Sequence, residues 1–487
     1  MNKFFSSKYF PLVFIPIAFL FTLIYSWATS PLYLSDGVDS SIFKTIGLGM
    51  TQGKMPYTDL FDHKGGLLFM IQSWGWLIAP GRWGLFLLQV IFSSASLFFL
   101  FKAAELFIDR KRAFFATLMS LLLYAVFMES GNQCEGYMLP VMSMTLYFAL
   151  KYLSRNTTRH PLSYSLIYGI SFAFMFWIRP NDAVSQVGSV MAGIFLYLIV
   201  KKEYKNAIYN ALTFLLGCTI VSIPIMAYFA YHNCLYPLID GTLLYNMRYV
   251  SDNGQISIPM ILVPTLIFGF LIWTSIKYEG KKYLWIFIPM LILTLVLIGK
   301  RAYMHYLIII VPAATIMTAM IYRRNWRILI YCLLIAFALF SEKQHRYVFA
   351  SFKAYDQQAN FFKQTQRIID NVPKEERNDI WNLNLMMASV DGLKNFSTMP
   401  AFLHSGITPC NRVFVDFHLE TFGGEETVEA NMPKWILADP TLETFEKYKV
   451  FLAEKYQIVD QTDNTCGGDV TLYRLKDEYW KTEGTIE

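Results

Sequence analysis

The chain has 487 residues, 55% of them apolar and 17% aromatic, and only 16% are charged, against about 25% in ordinary soluble domains. A mean hydropathy of +0.36 held over that length excludes a plain cytosolic enzyme and points to a bundle of membrane helices. The net charge of +6, from 42 Lys+Arg against 36 Asp+Glu, is too balanced for nucleic-acid binding, which calls for a concentrated basic face.

A membrane helix needs about 20 mostly apolar residues. Eleven windows qualify, near 10–29, 83–107, 113–129, 138–153, 162–178, 183–200, 207–230, 257–276, 283–299, 306–322 and 327–341. They predict an α-helical polytopic membrane protein with about 11 transmembrane helices. The basic residues between the windows alternate. Sixteen fall on one side, among them Lys3, Lys8, Arg110, Lys111, Arg112, Lys201 and Lys202, and eight on the other. Lys and Arg are retained in cytoplasmic loops, so the N-terminus is expected in the cytoplasm and everything after about 342 outside. The apolar stretch from Phe10 to Trp27 exceeds the usual 7–15 residues of a signal-peptide core, so the first window reads as a retained anchor.

Two outer segments are too long for turns. In the first loop, 30–82, Ile42, Phe43, Ile46 and Met50 follow Asp39 at three- and four-residue spacing, predicting an amphipathic helix on the membrane surface, closed by Gly49 and Gly53. The apolar stretch 67–79 is too short to cross and is expected to lie in the interface or re-enter. The second segment, 342–487, is large enough for its own core. Its apolar runs 413–415, 435–438 and 470–473 predict short strands in a mixed α/β domain. The expected division is therefore a membrane domain, 1–341, and an extracytoplasmic C-terminal domain, 342–487. Cys410 and Cys466 in the latter can pair in an oxidising compartment, while no CxxC or His/Cys spacing suggests zinc.

Ionisable groups at membrane depth are costly and default to a functional hypothesis. Those on the outer side are Asp36, Asp39, Asp59, Asp62, His63 and Lys64 in the first loop, and Glu135 in the short loop 131–137. Arg179 follows in 179–182, then Arg248, and finally Lys300, Arg301, His305 and Tyr306. Acids and bases on one face suit a reaction in which a carboxylate takes a proton from a hydroxyl while fixed cations stabilise a departing phosphate. Each also has a plain structural reading. Asp39 can cap the helix that follows it, Lys64 can snorkel, and Arg179 and Arg301 can anchor lipid head groups.

The order of parts in the first loop resembles that of the GT-C superfamily of integral-membrane glycosyltransferases, in particular the bacterial branch with the aminoarabinose transferase and the protein O-mannosyltransferase-like enzymes. The matching pieces are Asp39, the helix to Met50, the stretch Gly53-Lys54-Met55-Pro56-Tyr57-Thr58-Asp59, and Lys64-Gly65-Gly66-Leu67. The resemblance covers roughly 1–320. It implies a GT-C-like fold and transfer of a sugar from a polyprenyl-phosphate donor to a glycan, lipid or protein acceptor on the periplasmic face of a bacterial inner membrane.

By that resemblance Asp39 and Glu135 are the catalytic acids, with Asp39 orienting or deprotonating the acceptor. Lys64 and Arg301, with Arg179, hold the donor phosphate. His305 and Tyr306 resemble part of the family's cluster before a late helix, and with Asp36, Asp59, Asp62 and His63, singled out by their place in the outer loop, they are expected to orient substrate. No cofactor is required, although the carboxylates leave room for a divalent cation. Two departures stand out: Ser40 replaces a second acid, leaving Asp36 and Asp39 as alternative bases, and Gly65-Gly66 replace two prolines. The rival readings are a polytopic transporter or lipid-linked-sugar flippase, which should show paired repeats that this chain lacks, and a non-catalytic partner in polysaccharide assembly.

Overall fold

A computed structural model describes residues 5, 7–34, 36–155, 157–252, 258–298, 303–324, 355–383, 388–390, 394–396, 398–414, 427–440, 443–463 and 469–480. Window 327–341, Lys300, Arg301, Cys332 and Cys466 lie outside them.

Among the described residues five helices are long and apolar enough to cross a membrane: Trp83–Ala104, Pro180–Val200, Tyr204–Tyr231, Ile258–Glu279 and Met304–Arg324. At 1.5 Å per residue the shortest, with 21 residues, spans about 31 Å, close to the hydrocarbon thickness of a bilayer. Phe10–Tyr25, Arg110–Phe127, Cys134–Ser154, Leu162–Phe176 and Leu284–Ile298 are also helical, each at one of the predicted windows. Leu162–Phe176 and Tyr204–Tyr231 approach closely through Gly169 and Gly217. A Cβ on either would stand within 2.4 Å of a carbonyl oxygen of the other helix, so small residues set this contact.

The chain divides into two compact units. One holds 1–25, 64–68 and 87–344; the other holds 26–63, 69–86 and 345–487. Most of the first loop therefore shares a unit with the C-terminal segment.

Within the second unit the loop is stitched to 406–412 by hydrogen bonds. Gln52 Nε2 donates to the Gly406 carbonyl (2.6 Å) and Lys54 Nζ to that of Pro409 (2.9 Å). The Phe61 amide donates to the Arg412 carbonyl (2.8 Å), and Arg412 Nε returns a bond to that of Tyr57 (2.9 Å). The expected loop helix forms as Val38–Thr51, but Ser40 to Gly49 are all buried, so it is enclosed by its unit on every side instead of showing one face. The apolar stretch after it is the helix Gly66–Ile78.

The C-terminal segment contains a four-stranded sheet. Its strands are β1 (Ile380–Asn382), β4 (Trp435–Ala438), β5 (Tyr456–Gln461) and β6 (Thr471–Leu475), in the order β1-β4-β6-β5. β1 and β4 are parallel and the other pairs antiparallel. A separate hairpin joins β2 (Ala388–Val390) to β3 (Lys394–Phe396). Alternation along β4 supplies both faces of the sheet. Trp435 and Leu437 join Ile368, Phe402 and Leu472 on one side, and Ile436 and Ala438 join Phe445, Leu452 and Tyr473 on the other. Of the predicted strands, 435–438 and 470–473 correspond to β4 and β6. Val413 and Phe414 are buried but not in a strand; just before them the Cys410 amide donates to the Ile380 carbonyl and Asn411 Oδ1 accepts from the Asn382 amide. Cys410 is a free thiol.

Candidate active site

In the first unit the segment Lys64–Leu67 docks on the end of the helix Leu162–Phe176. Gly65 donates its amide to the Ile178 carbonyl and Leu67 donates to that of Trp177, both at 3.0 Å. A Cβ on Gly65 would stand 2.1 Å from the Trp177 carbonyl oxygen, so glycine is required for this approach, and a proline would also remove the donated N–H. The first of the two glycines that stand in place of prolines thus has a local cause.

Docking there places Lys64, partly buried, within electrostatic reach of Asp182. Arg179 follows Ile178 directly, at the N-cap of the helix that begins with Pro180. Its NH1 pairs with Glu135, in the first turn of Cys134–Ser154, and lies 3.3 Å from Asp182 Oδ2. The guanidinium sits 3.7 Å from the centroid of the Tyr306 ring, a cation–π contact. Burial works against the charge on Arg179, yet Asp182, Tyr306 and Glu135 together hold its pKa above the ordinary value. His305 Nδ1 lies 3.1 Å from Glu129 Oε1, and its ring meets that of Tyr306 edge-on.

The cluster therefore combines three acids with Arg179, Lys64 and His305 around Tyr306. Glu135 is 1% exposed and Asp182 fully buried. Both acids lie against one guanidinium, and Lys64 stands within electrostatic reach of Asp182. Charge-assisted pairs of this kind fix geometry strongly.

In the second unit, Asp36 is buried between two cations. It pairs with Lys44 and lies 2.9 Å from Arg82 NH2. Lys44 also donates to the Ala28 carbonyl. Burial pushes the Lys44 ammonium down to about 8, against the pull of Asp36. Arg82 donates further to the carbonyls of Trp27 (2.9 Å), Ala28 (3.1 Å) and Leu34. Asp59, exposed, accepts from the Met55 amide at 2.6 Å and closes the turn in which Tyr57 has a φ of 73°. Asp39 lies partly exposed in the first turn of Val38–Thr51, where Gly37 is the N-cap residue, so Asp39 does not cap that helix. Asp62 and His63 are buried. Arg301 is outside the described residues.

Sequence reasoning brought forward Glu135, Arg179, His305 and Tyr306, and they meet. It did not select Glu129, Asp182, Lys44 or Arg82. The three-residue spacing of Arg179 and Asp182 at a helix start was a usable signal, as was Lys44, a cation between the apolar residues Phe43 and Ile46 of a helix. Among the described residues no group of three or more His, Cys, Asp or Glu side chains is placed to hold a metal ion.

Residues 16–330 match the family described as "putative competence-induced protein Ccs4 N-terminal domain". The chain belongs to this family. The Ccs4 match spans more than half of the sequence and contains every residue of the first-unit cluster. No curated protein matches by sequence. Among solved structures, the chain is similar to the Archaeoglobus fulgidus oligosaccharyltransferase in its complex with zinc and sulfate. The identity there is 13%, the TM-score 0.46, and the match covers 93% of this chain and 72% of that one. The same archaeal enzyme, AglB, in complex with an inhibitory peptide and a dolichol-phosphate gives 13% identity and a TM-score of 0.44, over 95% and 74% of the two chains.

Proposed function

We propose that this Ccs4-family chain is a polytopic glycosyltransferase of a bacterial inner membrane, moving a sugar from a polyprenyl-phosphate donor to a glycan, lipid or protein acceptor on the periplasmic face. The observation that carries the reading is the docking of Lys64-Gly65-Gly66-Leu67 on Trp177 and Ile178. It sets the lysine that the family resemblance assigns to the donor phosphate beside the Glu135–Arg179–Asp182 cluster.

In this reading Asp39 takes the proton of the acceptor hydroxyl, whose oxygen attacks the anomeric carbon. The bond from that carbon to the phosphate oxygen breaks, and its electron pair leaves with the lipid phosphate. Lys64 and Arg301 stabilise the departing charge. The pairing of Asp36 with Lys44 and Arg82 supports giving the base role to Asp39. Arg179, engaged by two carboxylates, holds Glu135 and Asp182 in position, and Glu135 orients sugar hydroxyls. No metal is invoked in these steps.

The test incubates the purified full chain with radiolabelled polyprenyl-phosphate sugar and candidate acceptors. A transferase consumes the donor and labels the acceptor, whereas a transporter or flippase returns the donor intact. Full recovery of intact donor with every acceptor class would overturn the proposal.

A further inference from the structure

Beside Asp36, Lys44 and Arg82, wholly within the second unit, lies a cavity of about 420 Å³. That is within the range of small-molecule sites, roughly 300–1,000 Å³. Its walls carry aromatic rings from both parts of the unit: Trp76 and Trp83 from the loop side, Phe362 and His404 from the C-terminal segment. Trp76 is fixed by its indole N–H, which donates to the Lys44 carbonyl at 3.0 Å. Trp83 is half exposed at 52% and stands edge-on to Phe86. The Phe362 and His404 rings are also edge to face, with centroids 5.3 Å apart.

At the polar end, Asp36 meets both of its cations through Oδ1. Its Oδ2 has no partner among the described residues. Lys44 gives two of its three N–H groups, to Ala28 and Asp36, and the third has no acceptor among them. The Asp36 carboxylate and the Lys44 ammonium thus stand side by side on the cavity lining.

We propose that this cavity is a binding site for a neutral saccharide. A sugar hydroxyl both donates and accepts, so two adjacent hydroxyls can give a hydrogen to Asp36 Oδ2 and take one from Lys44 Nζ. The C–H face of the pyranose ring is apolar and suits the indole faces of Trp76 and Trp83. A phosphate or carboxylate fits less well, because it would meet the Asp36 oxygen and because Arg82 already serves backbone carbonyls and Asp36. The proposal is separate from the transfer reaction, and its readout is binding.

The experiment applies the full-length chain in detergent to an array of neutral, uronate-bearing and phosphate-bearing oligosaccharides, then titrates the best-bound one calorimetrically. Binding to a neutral oligosaccharide is expected, weakened about two- to tenfold by Trp83→Ala, which removes one aromatic wall of the cavity. Asp36→Asn should weaken it further. If that variant unfolds, Trp83→Ala, at a half-exposed position, still decides. The proposal fails if no neutral saccharide binds, if binding is unchanged in Trp83→Ala, or if only phosphate-bearing sugars or phosphatidylglycerol vesicles are retained.

Discussion

Gly65 donates its amide to the Ile178 carbonyl at 3.0 Å, and its α-carbon has no room for a side chain against Trp177. Gly65→Ala should push the segment off the helix end, costing roughly 1–3 kcal/mol as overpacking does. Thermal unfolding in detergent checks this. Sugar transfer should fall more than stability does, because Lys64 moves with the segment.

Removing the guanidinium at 179 leaves Glu135 and Asp182 buried without their cation. Arg179→Leu should destabilise the protein by about 3–5 kcal/mol. The triple variant with Glu135→Gln and Asp182→Asn should recover much of that loss. Denaturation midpoints of the single and triple variants, compared under one condition, test the coupling. An equal loss in both would show that the carboxylates do not depend on Arg179.

Lys44 titrates at about 8 in the folded chain, below its ordinary 10.5, because burial disfavours the charged form. Between these values the unfolded chain binds the extra proton. This residue therefore contributes stability that is fully present above 10.5 and is lost as pH falls to about 8. Stability measured across pH 8–10.5 should carry a rising component that disappears in Lys44→Met. A slope that persists in the variant would assign it to another group.

Two substitutions separate chemistry from donor binding. Asp39→Asn should lower kcat by about 10²–10⁴-fold with little change in donor KM, as loss of a general base does. Lys64→Ala should raise donor KM and lower kcat/KM by at least about tenfold, since its contact to the phosphate is charge-assisted. Steady-state kinetics with the lipid-phosphate sugar distinguish them. Near-normal turnover by Asp39→Asn would defeat the assignment of the base.

Periodicity and loop length made several elements legible. The spacing of Ile42, Phe43, Ile46 and Met50 located the helix Val38–Thr51, and the isolated acid in loop 131–137 drew attention to Glu135. What periodicity does not encode is which surfaces a helix meets. The helix at 38–51 is enclosed because the C-terminal segment, some 350 residues away in sequence, joins the same unit, as the bond between Gln52 and Gly406 illustrates. Asp36 looked like a candidate base for the same reason: its partners, Lys44 and Arg82, come together only in three dimensions. Arg179 was readable as a cation near the membrane but not as one shared by two acids. Tyr306, 127 positions further along, became its neighbour through helix packing alone.

Arg82 donates to the carbonyls of Trp27, Ala28 and Leu34, closing a stretch of more than fifty residues into a ring tied by one side chain. The far point of the ring, Gly53, has a φ of 88° and nothing within 4 Å of where a Cβ would stand, yet its neighbours Gln52 and Lys54 fasten the ring a second time, to Gly406 and Pro409. Held at neck and far point alike, the ring has no free end from which to open.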